Sequence, residues 1–276
     1  MILSSTLPPS LSVGAVAPAL LALVAYAVAG ATSMGVWSHR ALSLAWWAHG
    51  AALLAHLVGF GLPGEGARFG FAPALSAAAW MVLAVHWIES RLLPMPAVRR
   101  LFSVVCGGSV LLALLFPGEG AIHPGSPWAP LHWLLGLASY GLFGAAVLHA
   151  AWLDRAERAM RHRGVTPASG NGGGVPLLTL EKLTFRFVAA GFWVLSVAIG
   201  LGAWFAPVLR WDHKNVFSVL GWLVFAGLLA GRHLFGWRGR RATGWLYVGT
   251  GLLLLAYVGS RFVFEVLLHR SASMGA

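Results

Sequence analysis

"LRWDHKNVFSVLGWLVFAGLLAGRHLFGWRGRRA", residues 209–242, carries the plan of the molecule. It begins with Arg210, Trp211, Asp212, His213 and Lys214 in an unbroken polar run. A stretch from about 215 to 231 then holds no charge, and Arg232, Arg238, Arg240 and Arg241 follow. An apolar run of this kind approaches the roughly 20 residues that a helix needs to cross the hydrocarbon core. A weakly charged end and a strongly basic end are what a membrane crossing leaves on its two sides. If this reading is right, the pattern repeats along the chain.

It does. Apolar runs suited to crossing helices lie at about 12–31, 42–61, 71–88, 100–116, 130–151, 187–207, 215–231 and 243–266. Of these, the runs at 71–88 and 215–231 are the shortest. No period-two alternation points to a membrane β-barrel. The 276 residues are 58% hydrophobic and only 10% charged, with mean hydropathy +0.77. Soluble domains carry about 25% charged residues, so the composition agrees. The expected fold is all-α: a polytopic integral membrane protein of eight transmembrane helices in one membrane domain, 1–276.

Of the 19 Lys and Arg, 14 fall in alternate loops: Arg40; Arg91, Arg99 and Arg100; Arg155, Arg158, Arg161, Arg163, Lys182 and Arg186; Arg232, Arg238, Arg240 and Arg241. Arg68, Arg210, Lys214, Arg261 and Arg270 lie on the other side. Positive-inside bias places the first set in the cytoplasm and both termini outside. The net charge of +11 is then explained by topology, and nucleic acid is dropped as a partner in favour of the lipid bilayer. Loop 211–214 faces outward. The first apolar run lacks a basic n-region and is long for a signal peptide, so it reads as a retained span. The long loop 152–186 is cytoplasmic. It opens with the charged helical extension "WLDRAERAMRHRG", passes through the flexible "ASGNGGGVP", and re-enters with "LLTLEKLTFRF", read as an interfacial helix. The lone Cys106 excludes a disulfide framework within the chain.

Eleven histidines are the chemical resource. His49 and His56, seven apart, share one helix face. His132 and His269 lie at the outer boundary, at a common depth, on the fifth and eighth spans. Two imidazoles from different helices can hold a haem iron from both faces. His56 is slightly deeper and is a third or alternative partner. Gly136 and Ser139 leave the His132 face small enough for a flat macrocycle. Arg261, Glu265 and His269 form an i, i+4, i+8 stripe, and Arg261 suits a haem propionate. Each feature has a plainer account. A lone intramembrane His more often bonds a neighbouring carbonyl, Arg261 and Glu265 can be a snorkelling pair, and small residues recur at helix contacts. The outer loop itself is polar partly because it lies at the surface. No His-Glu-x-x-His is present, Asp212 and His213 are too close in sequence for a catalytic pair, and acidic residues are absent from mid-membrane positions. Catalysis and proton-driven transport are therefore the weaker readings.

Three stretches carry a family likeness: "SPWAPLHWLLGLASYGLFGAAVLHAAWL", the 209–242 segment, and the last span ending "EVLLHR". The chain resembles the cytochrome c assembly family, the CcsA/CcmC/CcmF-like haem-handling proteins, and within it the YpjD/HemX branch. The resemblance implies haem b held at a Trp-rich outer segment flanked by two outward histidines. Trp211 and Asp212 match the end of that segment, Lys214 follows them, and His132 and His269 match the flanking pair. The family segment is Trp-Gly-x-x-Trp-x-Trp-Asp. Here "GAWFAPVLRWDHK" lacks most of the Trp and has His213 where the family has Pro, and a deeper family His falls near Ala230, with His233 only approximately in its place. The implied function is an inner-membrane haem-binding or haem-trafficking protein related to cytochrome c biogenesis. Its implied partners are haem and other cytochrome assembly or membrane proteins. A haem-free accessory subunit on the same scaffold is the alternative, and a small-solute permease is a weaker one.

Overall fold

The computed structural model describes residues 13–32, 36–58, 67–89, 98–122, 128–163, 177–205, 212–263 and 266. Among the described residues, eight long helices run in chain order: α1 Val13–Ala31, α2 Val36–Val58, α3 Phe71–Glu89, α4 Val98–Leu115, α5 Ala129–Arg163, α6 Leu177–Phe205, α7 His213–Phe235 and α8 Gly239–Leu254. The last continues through a π-turn, Leu255–Gly259, into a further α turn, Ser260–Phe262. Among the described residues, six of these helices are long and apolar enough to cross a membrane. The apolar part of α1 is shorter, and α2 carries Arg40, His39, His49 and His56 along its 23 residues. The protein is a helical, polytopic membrane protein.

Among the described residues each apolar run is helical, and the differences lie at the ends. The second helix starts at Val36, earlier than its apolar run, so Ser38, His39 and Arg40 are helical. The seventh reaches Phe235 and begins at His213 because Asp212 caps it: the carboxylate accepts the Asn215 N–H at 2.8 Å. It ends at Gly236, left-handed at φ 63°, a conformation that costs glycine least. The charged extension to Arg163 continues α5 as expected. Residues 177–187 do not form a separate interfacial helix; they are the first turns of α6. The Gly-rich stretch 168–176 lies outside the described residues. Two segments read as loop pair as short antiparallel strands, β1 Ala67–Phe69 with β2 Glu119–Ile122.

The helices group into two compact units. The first comprises residues 1–84, 94–125 and 261–276, the second residues 85–93 and 126–260. In the first, α1 packs on α2 and α4. Its contact face is built of alanine: Ala19, Ala22, Ala25 and Ala29 on α1, with Ala45, Ala48 and Ala52 buried on α2. Small side chains let backbones approach, which drives helix association where lipid offers no hydrophobic gain. Trp46 and Trp80 stack at 4.8 Å, and the Trp80 indole donates to the Trp46 carbonyl.

In the second unit α5 packs on α6 and α8, and α7 on α8 and α6. Phe143 and Phe225 lie face to face at 3.9 Å in its centre. Glycines make that room. A Cβ on Gly191 would stand 2.9 Å from the Phe143 ring, and one on Gly249 would stand 2.9 Å from Phe225. Hydroxyls inside the helices bond back to their own backbone: Thr184 to the Leu180 carbonyl, Ser196 to Phe192, Thr250 to Leu246.

Gly191→Ala and Gly249→Ala therefore overpack the Phe143–Phe225 stack and each destabilise by about 1–3 kcal/mol. Gly227→Ala, whose new methyl meets nothing within 4 Å, leaves stability unchanged or slightly raised. Melting temperatures of the three variants in one detergent check this order.

Candidate functional site

His132 sits in the first turns of α5, just past the helix start, where its N–H bonds the Trp128 carbonyl at 3.1 Å. The half-buried ring turns toward α6, and Nδ1 lies 2.8 Å from the Ala198 carbonyl oxygen. Gly202, one turn on from Ala198, is what permits this approach: a Cβ there would stand 2.9 Å from His132 Cε1. A carbonyl can only accept, so Nδ1 carries the proton and donates. In the neutral imidazole the lone pair is then on Nε2. Histidines that ligate metals are oriented in this way, by giving the other ring N–H to a carbonyl or carboxylate.

The neighbouring surface of α5 is small. A Cβ added at Gly136, one turn on from His132, meets nothing within 4 Å. Ser139 is buried and folds its hydroxyl back to the Gly136 carbonyl at 2.7 Å. Tyr140 donates its phenolic O–H across to the Leu253 carbonyl on α8.

That carbonyl stands just before the π-turn. There the Ser260 N–H reaches the Leu255 and Tyr257 carbonyls and passes over Ala256, whose oxygen accepts the Ser260 hydroxyl at 2.8 Å instead. A π-turn inserts an extra residue into the helical register and is often found at functional sites. Lys214, in the first turn of α7, places its ammonium 5.7 Å from the Tyr257 ring centroid. The same ammonium is within electrostatic reach of His132.

The other residues singled out in the sequence fall as follows. Asp212 is exposed and its carboxylate caps α7, so helix initiation already accounts for it. Arg261 follows directly on the π-turn, half-buried and partnered. His56 is buried near the end of α2, in the first unit. Trp211, Glu265 and His269 lie outside the described residues. No group of three or more His, Cys, Asp or Glu able to hold a metal ion occurs among the described residues.

One polar network was not legible beforehand. His49, buried on α2, bonds the Tyr26 hydroxyl on α1 through Nδ1 at 3.0 Å and the Ser76 hydroxyl on α3 through Nε2 at 2.8 Å. Both ring nitrogens are engaged, so this histidine fastens three helices and is not disposed to take a ligand. His49 and His56 are both buried, as residues seven apart on one face require. Sequence spacing gave the shared face, but the partners on other helices leave no local signal.

Residues 37–268 match the model of the cytochrome c assembly protein family. The chain belongs to that family. The inner membrane protein YpjD of Escherichia coli K12 is 29% identical over 269 residues, which covers 90% of this chain and 98% of that protein. The cytochrome c biogenesis protein CcsA of Thermosynechococcus vestitus is 26% identical over 226 residues, 65% of this chain and 70% of that protein. An uncharacterized 28.8 kDa protein of Azospirillum brasilense is 29% identical over 174 residues, 60% of this chain and 63% of that protein. No solved structure matches the chain.

Tyr140→Phe removes the side-chain hydrogen bond from α5 to the Leu253 carbonyl, just before the π-turn, so the turn is predicted to open more readily. A hydrogen bond of this kind contributes about 1 kcal/mol, and amides 255–260 should exchange roughly fivefold faster on that basis. Hydrogen exchange read by mass spectrometry checks it, with α1 and α2 peptides unchanged as the internal standard.

Proposed function

We propose that this protein binds haem b in a bacterial inner membrane and carries or passes it in the service of cytochrome c biogenesis. Three things support the reading: the family, the likeness to the YpjD and CcsA proteins, and the His132 geometry. The last carries most weight. A histidine whose Nδ1–H is fixed on a helix carbonyl, and whose approach depends on a glycine, is a ring held in one orientation.

In this reading the chain crosses the membrane eight times, with both termini and loop 211–214 in the periplasm and loop 152–186 in the cytoplasm. His132 and His269 would hold the haem iron, with His56 as the alternative partner. Trp211 and Asp212 border the haem on the outer side, and Arg261 meets a propionate. The open space beside Gly136 gives a flat ring room next to the His132 face. Haem held by two imidazoles would supply one-electron chemistry with no open iron site for oxygen, which suits carriage better than oxidation. Its partners are the bilayer and other cytochrome assembly or membrane proteins.

One observation favours a second reading. The run "GAWFAPVLRWDHK" keeps few of the family's tryptophans, which suits a haem-free accessory subunit on the same scaffold. Absorption spectra of protein purified from haem-replete cells separate the two. The proposal predicts a Soret band in the wild type, loss of most of it in His132→Ala and in Gly202→Ala, and retention in His49→Leu. A colourless wild type favours the accessory subunit. Full haem in both His132→Ala and His269→Ala would overturn the ligand assignment.

A further inference from the structure

The second unit carries a turn that the haem reading does not use. Between α7 and α8 the chain reads "GRHLFGWRGRRATGW", residues 231–245. Gly236 and Gly239 both take left-handed backbone, at φ 63° and 57°, and fix a sharp reversal. Trp237 is drawn back over α7: its N–H bonds the Gly231 carbonyl, and its ring lies where a Gly231 Cβ would be, 2.5 Å away. Trp245 stacks behind it at 6.4 Å and 15°.

The arginines of this turn are unequally served. Arg232 is paired with Glu181 at 2.9 Å and lies over the Phe185 ring. Arg238 reaches the same carboxylate oxygen only at 3.9 Å, with its side chain 71% exposed. Arg241 is exposed and packs its guanidinium 4.3 Å over Trp237. Arg240 is exposed. Neither Arg240 nor Arg241 has a carboxylate within ion-pair distance among the described residues. Of the nearby carboxylates, Asp154 accepts from the Thr243 and Tyr247 hydroxyls, and Glu157 stands 3.6 Å from where a Gly239 Cβ would be.

Directly beside these cations the surface is apolar and open: Leu234 and Phe235 are about three-quarters exposed, and Val248 and Trp245 about half. Exposed guanidiniums, one of them stacked on an indole, on a turn that also carries exposed apolar side chains match one class of molecule. We infer that the α7–α8 turn is a binding site for an anionic glycerophospholipid. Arg240 and Arg241, with Arg238, hold the phosphodiester, and an acyl chain lies along Phe235, Trp245 and Val248. A zwitterionic headgroup leaves these cations without a counter-charge, so charge sets the selectivity. The stack on Trp237 holds one fork in place before the lipid arrives. An acidic protein segment would gain nothing from the apolar wall beneath. The inference is independent of haem.

The test is native mass spectrometry on delipidated full-length protein in detergent, titrated with phosphatidylglycerol, phosphatidylcholine or sn-glycerol 3-phosphate. The wild type is expected to hold phosphatidylglycerol at least tenfold more tightly than phosphatidylcholine. Arg240→Gln/Arg241→Gln is expected to remove that preference, and Arg241→Gln alone to weaken it severalfold. Arg40→Gln/Arg100→Gln removes the same charge from exposed positions elsewhere and should leave it intact. The inference is overturned if the two lipids bind equally, or if Arg240→Gln/Arg241→Gln keeps the preference. It is also overturned if the control variant loses as much, or if glycerol phosphate displaces the lipid on equal terms.

Discussion

Hydrocarbon offers a polar group no partner, and this constraint governs the molecule. Each backbone donor and acceptor inside a bilayer must be satisfied within the protein, at a cost of several kcal/mol if it is not. Long helices are the direct answer. The serine and threonine hydroxyls that bend back to carbonyls in their own helices are the same answer at side-chain scale. So is the Tyr26–His49–Ser76 chain, where three polar residues from three helices satisfy one another. The π-turn of α8 obeys it as well: the carbonyl of Ala256, passed over by the Ser260 N–H, is met by the Ser260 hydroxyl.

Set against that constraint, His132 and His49 are a contrast. Both are imidazoles inside helices, and both are bonded. His49 is bonded at both nitrogens by neighbours that are themselves buried, and its ring is a rivet. The carbonyl that receives His132 Nδ1 fixes its tautomer and directs the nitrogen lone pair through Nε2. The glycine at position 202 makes that arrangement possible and would be hard to replace. The two histidines differ in their partners, which come from other helices.

That difference marks where the sequence could be read and where it could not. Hydropathy located all eight helices because an uncharged run of that length has few other uses. Helix ends were less legible. Asp212 extends α7 by capping it, α2 begins in polar residues, and the amphipathic start of α6 runs unbroken into its apolar part. Alternating Lys and Arg gave only an expected topology, which belongs to the proposal. His132 could be singled out by its place at the start of a span, and Gly136 by its size. The role of Gly202 could not, since it consists of a contact with a residue 70 positions earlier. The π-turn was also silent in sequence: it shows in where carbonyls find donors, including Tyr140 from another helix. The i, i+4, i+8 stripe from Arg261 runs on to Glu265 and His269, which lie outside the described residues.

The account rests on His132 presenting Nε2 to iron. Electron paramagnetic resonance of the ferric, haem-loaded protein tests this most directly. Two imidazole ligands predict a low-spin ferric signal in the wild type that gives way to a high-spin signal in His132→Ala. A high-spin signal in the wild type, or an unchanged low-spin signal when His132 is removed, would contradict it.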